Sequence, residues 1–157
     1  MKKIYSVDKK NNTVSQSEQA INNKYSSSID VRVYYEDTDS GGVVYYANYL
    51  KFIERGRSEY LRQLGFEQDD LVADKGIIFA VKSLSADYLS PAKFNEKLQV
   101  KTYALKTNKA SIVFLHKIVN SEQNKVLFKA QVLVACLSAK NFKPCALPLE
   151  ILEKING

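Results

Sequence analysis

The sequence has few of the residues that build metal centres and activated nucleophiles. It contains no tryptophan, one histidine and two cysteines among 157 residues. Cys136 and Cys145 lack the paired spacing of a zinc site, so we expect no metal site. A disulfide between them is the alternative to two free thiols, which a reducing compartment favours. His116 lies far along the chain from the acidic residues singled out below, so a Ser-His-Asp triad has little support and a structural or surface histidine is expected.

Long apolar runs are also absent. The longest clean stretch, Val132–Leu137, has the length of a strand, whereas a membrane-spanning helix needs roughly 20 residues. No apolar core of a signal peptide follows Met1–Lys3, because polar and charged residues intervene at Asp8–Asn12. We therefore expect a cytoplasmic protein without a membrane span.

The charge is positive but unevenly distributed. The formal net charge is +6, and residues 1–28 contribute half of it through five lysines and two acidic residues. The remainder is only mildly basic and shows no RNA-recognition or zinc-finger motif. This balance suits an anionic small molecule, and we expect no nucleic-acid partner.

Composition divides the chain into two parts. Residues 1–28 are rich in Asn, Ser, Gln and Lys without a sustained apolar period, which predicts a mobile N-terminal extension. Residues 29–157 have the composition of one globular domain, and Val31, Val33 and Tyr35 alternate with polar or aromatic residues as in a strand near its start.

One long helix and a series of strands are predicted within this domain. Apolar residues recur on one face from about Ala47 to Leu64, with Gly56 on the apolar stripe, which indicates close packing on a sheet. A shorter helix over Gln68–Asp74 is closed by Gly76, and a last one covers Leu149–Ile155. Strands are predicted at Ile77–Tyr88, Lys97–Lys106, Ser111–Asn120 and Val126–Ser138. A meander-like antiparallel sheet covered on one face by the long helix is an α+β fold.

The segment before the long helix carries the chemistry. Asp39 precedes a glycine turn at Gly41 and Gly42 that leads into the helix. A helix N-terminus offers unpaired N–H groups and a partial positive charge, which can stabilise an oxyanion. A carboxylate beside that position can act as a nucleophile or activate water, as ester or thioester hydrolysis requires.

Two other readings apply to the same residues. An Asp-x-Asp sequence before a helix is often only turn and capping chemistry. Asp37 and Asp39 also match the first ligands of a calcium loop, but Asn48 then stands where the bidentate Glu is needed, so calcium is excluded.

The same stretch resembles the 4-hydroxybenzoyl-CoA thioesterase family and, within it, the YbgC type of acyl-CoA thioesterase associated with the Tol-Pal system. The resemblance runs from about Val31 to Leu149 and includes the Val132–Cys136 strand. It is most specific at these positions: Tyr35, Asp37, Thr38, Asp39, Gly42, Val43, Val44, Tyr45, Asn48, Tyr49, Glu54, Arg55, Arg57 and Glu59.

This resemblance implies a hotdog fold, in which the sheet wraps the long helix, and an assembly of dimers that share two active sites or of tetramers. It assigns catalysis to Asp39, polarisation of the thioester carbonyl to the backbone N–H of Tyr46, and a site-lining role to Tyr35. Substrate contacts fall to the loop Gly42, Val43, Val44 and Tyr45.

The CoA moiety adds a requirement for basic residues. By family position, Lys106, Lys109, Lys140 and Lys143 are the candidates for its phosphates. No cofactor is expected, because CoA is part of the substrate.

One departure from the family leaves the function open. YbgC-type sequences commonly carry His where this chain has Tyr46, whereas the 4-hydroxybenzoyl branch has Tyr. Acyl-CoA hydrolysis with Asp39 as nucleophile or general base is the first hypothesis. The alternative is a hotdog module in envelope lipid metabolism that binds acyl-CoA or acyl-carrier protein without hydrolysis. A hotdog hydratase is disfavoured, because Val44 stands where its His is needed.

Overall fold

The computed structural model describes residues 26–157. Its elements follow one another as β1 (Ser26–Arg32), α1 (Asn48–Gln63), α2 (Gln68–Asp70), β2 (Ile77–Tyr88), β3 (Lys97–Asn108), β4 (Ser111–Asn120), β5 (Lys125–Ser138) and α3 (Leu149–Asn156). A 3-10 turn at Tyr35–Asp37 precedes α1, and a π-helical turn at Leu71–Lys75 extends α2. The predicted helices and the four predicted later strands are confirmed to within two residues at most boundaries.

The strands form one antiparallel sheet in the order β1-β3-β4-β5-β2. The expected meander is therefore correct only for β3, β4 and β5. β2 does not pair with β3, because β3 already pairs with β1 on one side and with β4 on the other. It pairs instead with β5, from Ile77↔Ser138 to Tyr88↔Phe128. β1 and β2 are consequently the two edges of the sheet.

The first strand also differs from its prediction. β1 begins at Ser26, so three residues assigned to the N-terminal extension belong to the sheet, and it ends at Arg32 rather than Tyr35. The Asp37 carboxylate accepts a hydrogen bond from the Tyr34 backbone N–H, which bends the chain into the 3-10 turn. The rest of the predicted extension, residues 1–25, lies outside the described residues.

Helix α1 packs across one face of the sheet and closes the core. Its buried stripe includes Tyr49, Phe52, Ile53 and Tyr60. The predicted close approach at Gly56 is confirmed: a Cβ atom there would lie 2.7 Å from Thr102 Oγ1 on β3. The α+β arrangement expected from the sequence is therefore confirmed.

The antiparallel register defines two ends of the sheet. The Tyr88 end is formed by Arg32, Tyr88, Lys97, Asn120 and Lys125, and the Ser138 end by Ile77, Asn108, Ser111 and Ser138. Val33 continues the pairing beyond β1 by donating its backbone N–H to Glu96 O over 3.0 Å. The segment that leads from β1 into α1 therefore lies at the Tyr88 end.

Candidate active site

Asp37 is a structural residue that joins this segment to the helix start. Its side chain is buried, with 7% relative exposure, and Oδ2 accepts the Tyr34 backbone N–H over 2.9 Å. Oδ1 accepts from the side-chain amide of Asn48, the first residue of α1, over 3.1 Å. The Asp37 carbonyl also accepts the Tyr45 N–H over 2.9 Å. Both carboxylate oxygens of Asp37 therefore accept hydrogen bonds from groups of the chain itself.

Asp39 has a different environment. It is exposed and lies in a tight turn, in which the Gly42 N–H donates to the Asp39 carbonyl over 3.1 Å and Gly42 has φ 75°. Oδ1 accepts the Gly41 N–H over 2.8 Å, and no other group in residues 26–157 donates to the carboxylate. The turn thus orients the carboxylate through one oxygen and leaves the second available.

The Gly42–Tyr45 loop is held against the segment between β2 and β3. Val44 is buried and donates its N–H to Ala92 O over 2.8 Å, while Val43 forms an isolated antiparallel bridge with Lys93. Contacts with Ala92 and Lys93 consequently fix the backbone of the loop that connects Asp39 to the helix.

The helix begins immediately after Tyr46 and Ala47. Asn48 donates its backbone N–H to Tyr45 O over 2.8 Å, and Leu50 donates to Ala47 O over 3.1 Å. Within the described part of the chain, the Tyr46 N–H has no acceptor. The Tyr46 side chain is 63% exposed. An unpaired donor at the start of a 16-residue helix is suited to an oxygen that gains negative charge.

Aromatic side chains surround this segment, and some of them were not singled out from the sequence. Tyr35 is exposed and stacks on Phe94, with ring centroids 4.0 Å apart. Phe94 also donates its N–H to Gly42 O over 3.3 Å. Tyr46 contacts Tyr45 and, edge-on, Tyr88. Phe94 and Tyr88 are distant from Asp39 in sequence, and only the strand pairing brings them to the same end of the sheet.

The four candidate lysines do not join this cluster within one chain. Lys106 and Lys109 lie at or beside the β3–β4 turn, and Lys140 and Lys143 follow β5, all at the Ser138 end. The Leu147 N–H donates to Lys109 O over 2.8 Å, so the β3–β4 turn and the segment after β5 are neighbours. Along β3, Lys106 lies about 30 Å from the Tyr88 end at a rise of about 3.3 Å per residue.

His116 is structural, as expected, and is part of a buried cluster beneath α1. It has 0% relative exposure, its Nδ1 is 3.1 Å from Thr102 Oγ1, and its Nε2 is 3.4 Å from Arg57 Nη1. Burial, followed by the Arg57 charge, places the His116 pKa well below its ordinary value, so the ring is neutral and Nε2 accepts from Arg57. The contacts with Thr102 and Arg57 explain why a histidine is buried here, without a role in a catalytic triad.

Cys136 and Cys145 are free thiols, as expected, with Cys136 in the core. Across residues 26–157 there is no group of three or more His, Cys, Asp or Glu side chains arranged to hold a metal ion. None of the helices described is long and apolar enough to cross a membrane.

Comparison of the chain with known proteins identifies its family. The model of the thioesterase-like superfamily matches residues 33–155. The acyl-CoA thioester hydrolase YbgC of Escherichia coli is 44% identical over 79% of this chain and 91% of its own length. The acyl-CoA thioesterase YbgC of Haemophilus influenzae is 45% identical over 79% and 90%, respectively.

Solved structures confirm the hotdog fold. A probable thioesterase from Bartonella henselae is 35% identical, covers 79% of this chain and 100% of its own, and has a TM-score of 0.74. A 1,4-dihydroxy-2-naphthoyl-CoA thioesterase from Synechocystis, at 20% identity, agrees in fold with a TM-score of 0.78 over 84% of this chain and 96% of its own. The chain therefore belongs to the thioesterase-like superfamily and, within it, to the YbgC-type acyl-CoA thioesterases.

Proposed function

We propose that this protein hydrolyses acyl-CoA thioesters to the free acid and CoA, with Asp39 as the catalytic carboxylate. The observation that carries the proposal is that one short segment holds two groups suited to this reaction. These are the Asp39 carboxylate, which has an available oxygen, and the Tyr46 backbone N–H, which has no acceptor in residues 26–157. The names of its YbgC relatives support thioester hydrolysis as the reaction.

The proposed chemistry uses few groups. The thioester oxygen accepts a hydrogen bond from the Tyr46 N–H, and the helix dipole favours the negative charge that develops there. Asp39 either attacks the carbonyl carbon, giving an anhydride that water cleaves, or deprotonates the attacking water. In both routes the C–S bond breaks and CoA leaves as its thiol after taking up a proton. Tyr35 and the Gly42–Tyr45 loop border the acyl group.

The placement of the lysines supports a site completed by a second copy. β2 is an edge strand, and an open groove of about 560 Å³ beside it is lined partly by Leu50 and Ile53 of α1 and by Val81 and Leu84 of β2. Antiparallel pairing of β2 with β2 of a second copy would bring the Tyr88 end of one chain to the Ser138 end of the other. The lysines would then meet the CoA phosphates across the interface. A tetramer would be two such dimers.

The experiment measures thiol release from short, long and aromatic acyl-CoAs by wild type, Asp39→Asn and Glu36→Gln. Glu36 is an exposed carboxylate three residues away and serves as the control. We expect Asp39→Asn to lower kcat by at least 100-fold, a typical effect for an essential catalytic group, with acyl-CoA binding retained. Glu36→Gln should match wild type.

Two results would contradict the proposal. Equal turnover by Asp39→Asn and wild type would remove Asp39 from the mechanism. A wild type that binds acyl-CoA or acyl-carrier protein but releases no thiol would favour the non-hydrolytic module, with Tyr46 as the first residue to change to His. We also propose a cytoplasmic location, which fractionation of cells that produce the protein would test.

A further inference from the structure

The peptide groups on both sides of Tyr46 are fixed by hydrogen bonds to their carbonyls. The Tyr45 carbonyl accepts the backbone N–H of Asn48 over 2.8 Å. The Tyr46 carbonyl accepts the hydroxyl of Tyr88, 42 residues away, over 2.9 Å. Because the Leu50 N–H donates to Ala47 O, the helix ladder does not use the Tyr46 carbonyl. The orientation of the Tyr46–Ala47 peptide therefore depends on a side chain from the sheet.

The Tyr88 ring is held in place by other aromatic rings. It is the last residue of β2 and makes edge contacts with Tyr49, at a centroid distance of 5.5 Å, and with Phe128, at 5.1 Å. Tyr49 is itself stacked on Phe128, and its hydroxyl accepts the Ala92 N–H over 3.1 Å. These contacts set the position of the Tyr88 hydroxyl before substrate binds.

We propose that Tyr88 is a positioning residue of the thioesterase reaction: its hydroxyl fixes the Tyr46–Ala47 peptide and, through the Cα of Tyr46, restrains the adjoining Tyr45–Tyr46 peptide, so that the Tyr46 N–H stays aimed at the substrate carbonyl oxygen. This inference rests on the proposed function. Tyr88 does not touch the reacting atoms and acts through the backbone of Tyr46. Its hydrogen bond joins the end of β2 to the start of α1, so the donor is aligned without a cost at the moment of reaction.

Loss of this hydroxyl should affect the transition state more than the ground state. Direct removal of an oxyanion donor lowers kcat by about 10²–10³, and a donor that is present but less well aligned should lose less, about tenfold. The negative charge on the oxygen is largest in the transition state, so KM should change by less than about twofold.

The test compares Tyr88→Phe with Tyr103→Phe, which removes a hydroxyl from β3 beyond this cluster. For the best acyl-CoA substrate we expect kcat of Tyr88→Phe to fall about tenfold with KM nearly unchanged, and Tyr103→Phe to match wild type. Two unreactive ligands give a second measurement: a ketone analogue with CH₂ in place of sulfur, and a thioether analogue without the carbonyl. Tyr88→Phe should weaken the ketone more than the thioether.

The outcomes separate this role from a structural one and from the proposed function. Unchanged kcat, or equal weakening of both analogues, would overturn the positioning role while leaving an active wild type as a thioesterase. A lower melting temperature alone would count as a structural effect and would also overturn it. A silent wild type would overturn the proposed function and, with it, the role of Tyr88.

Discussion

Replacement of Gly56 by Ala tests how closely the helix approaches the sheet. In the interior of a helix this exchange normally stabilises by about 1 kcal/mol, because Ala loses less backbone entropy. Here the new Cβ would lie 2.7 Å from Thr102 Oγ1 and 3.0 Å from Val100 Cγ1. Contacts this short cannot be accommodated without movement of the helix or of β3.

Thr102 has little room to move. It is β-branched, fully buried, and its Oγ1 is 3.1 Å from the His116 ring nitrogen. Overpacking a core costs about 1–3 kcal/mol, and separating a buried hydrogen-bonded pair costs about 1–3 kcal/mol more. After subtraction of the gain of about 1 kcal/mol in helix propensity, we expect Gly56→Ala to lower the free energy of unfolding by about 3 kcal/mol.

Urea denaturation followed by circular dichroism, at one fixed protein concentration, gives this free energy. The Thr102→Ala background supplies a double-mutant cycle: without Oγ1, the penalty of Gly56→Ala should shrink by at least about 1 kcal/mol. A Gly56→Ala protein as stable as wild type, or an unchanged penalty in the Thr102→Ala background, would refute the close approach.

Two further predictions concern buried titratable groups. The pKa of His116 is well below its ordinary 6.5, through burial and the Arg57 charge, so only the unfolded chain takes up this proton as the pH falls below 6.5. Stability should then decrease by up to about 1.4 kcal/mol per pH unit, and His116→Gln should remove that part of the slope in denaturation from pH 7 to 5. Burial, with the neighbouring Cys145 thiol, raises the pKa of Cys136 to about 12. Iodoacetamide at pH 8 should therefore label the half-buried Cys145 alone, and mass spectrometry showing Cys136 labelled at an equal rate would contradict this.

Local patterns were sufficient to predict most elements. The apolar stripe from Tyr49 to Tyr60 and the glycine that follows α1 indicate the helix without tertiary information. The β-branched and aromatic residues of β3–β5 and the short connections between these strands indicate three paired strands. The place of β2 was predicted incorrectly, because its pairing with β5 depends on which edge β1 occupies, and sequence order does not encode that choice.

From the sequence, only those site residues that lie close together along the chain could be predicted. Asp39 and Tyr46 share one short segment, so a family resemblance was sufficient to mark them as candidates. Tyr88 and Phe94 reach this segment through tertiary contacts, and no local signal distinguishes them from other aromatic residues. The same limit applies to the lysines, whose separation from Asp39 within one chain becomes visible only in the register of the sheet.

That separation allows the proposed dimer to be tested by complementation. One variant carries Asp39→Asn and intact lysines, and the other carries Asp39 with Lys140→Ala and Lys143→Ala. If each site takes Asp39 from one chain and lysines from the other, each homodimer has two defective sites. A mixed dimer then has one doubly defective site and one wild-type site, because the intact groups lie on different chains.

After subunit exchange at a 1:1 ratio, half of the dimers are mixed and each has one intact site. At low acyl-CoA concentration the mixture should therefore recover about a quarter of wild-type activity, well above the sum of the separate variants. If the lysines served Asp39 of their own chain, no mixed dimer would contain a complete site, and activity would equal the average of the two variants. Native mass spectrometry before and after mixing resolves the mixed dimer from the two homodimers and so shows that exchange has occurred. Recovery without mixed dimers would also exclude the shared site.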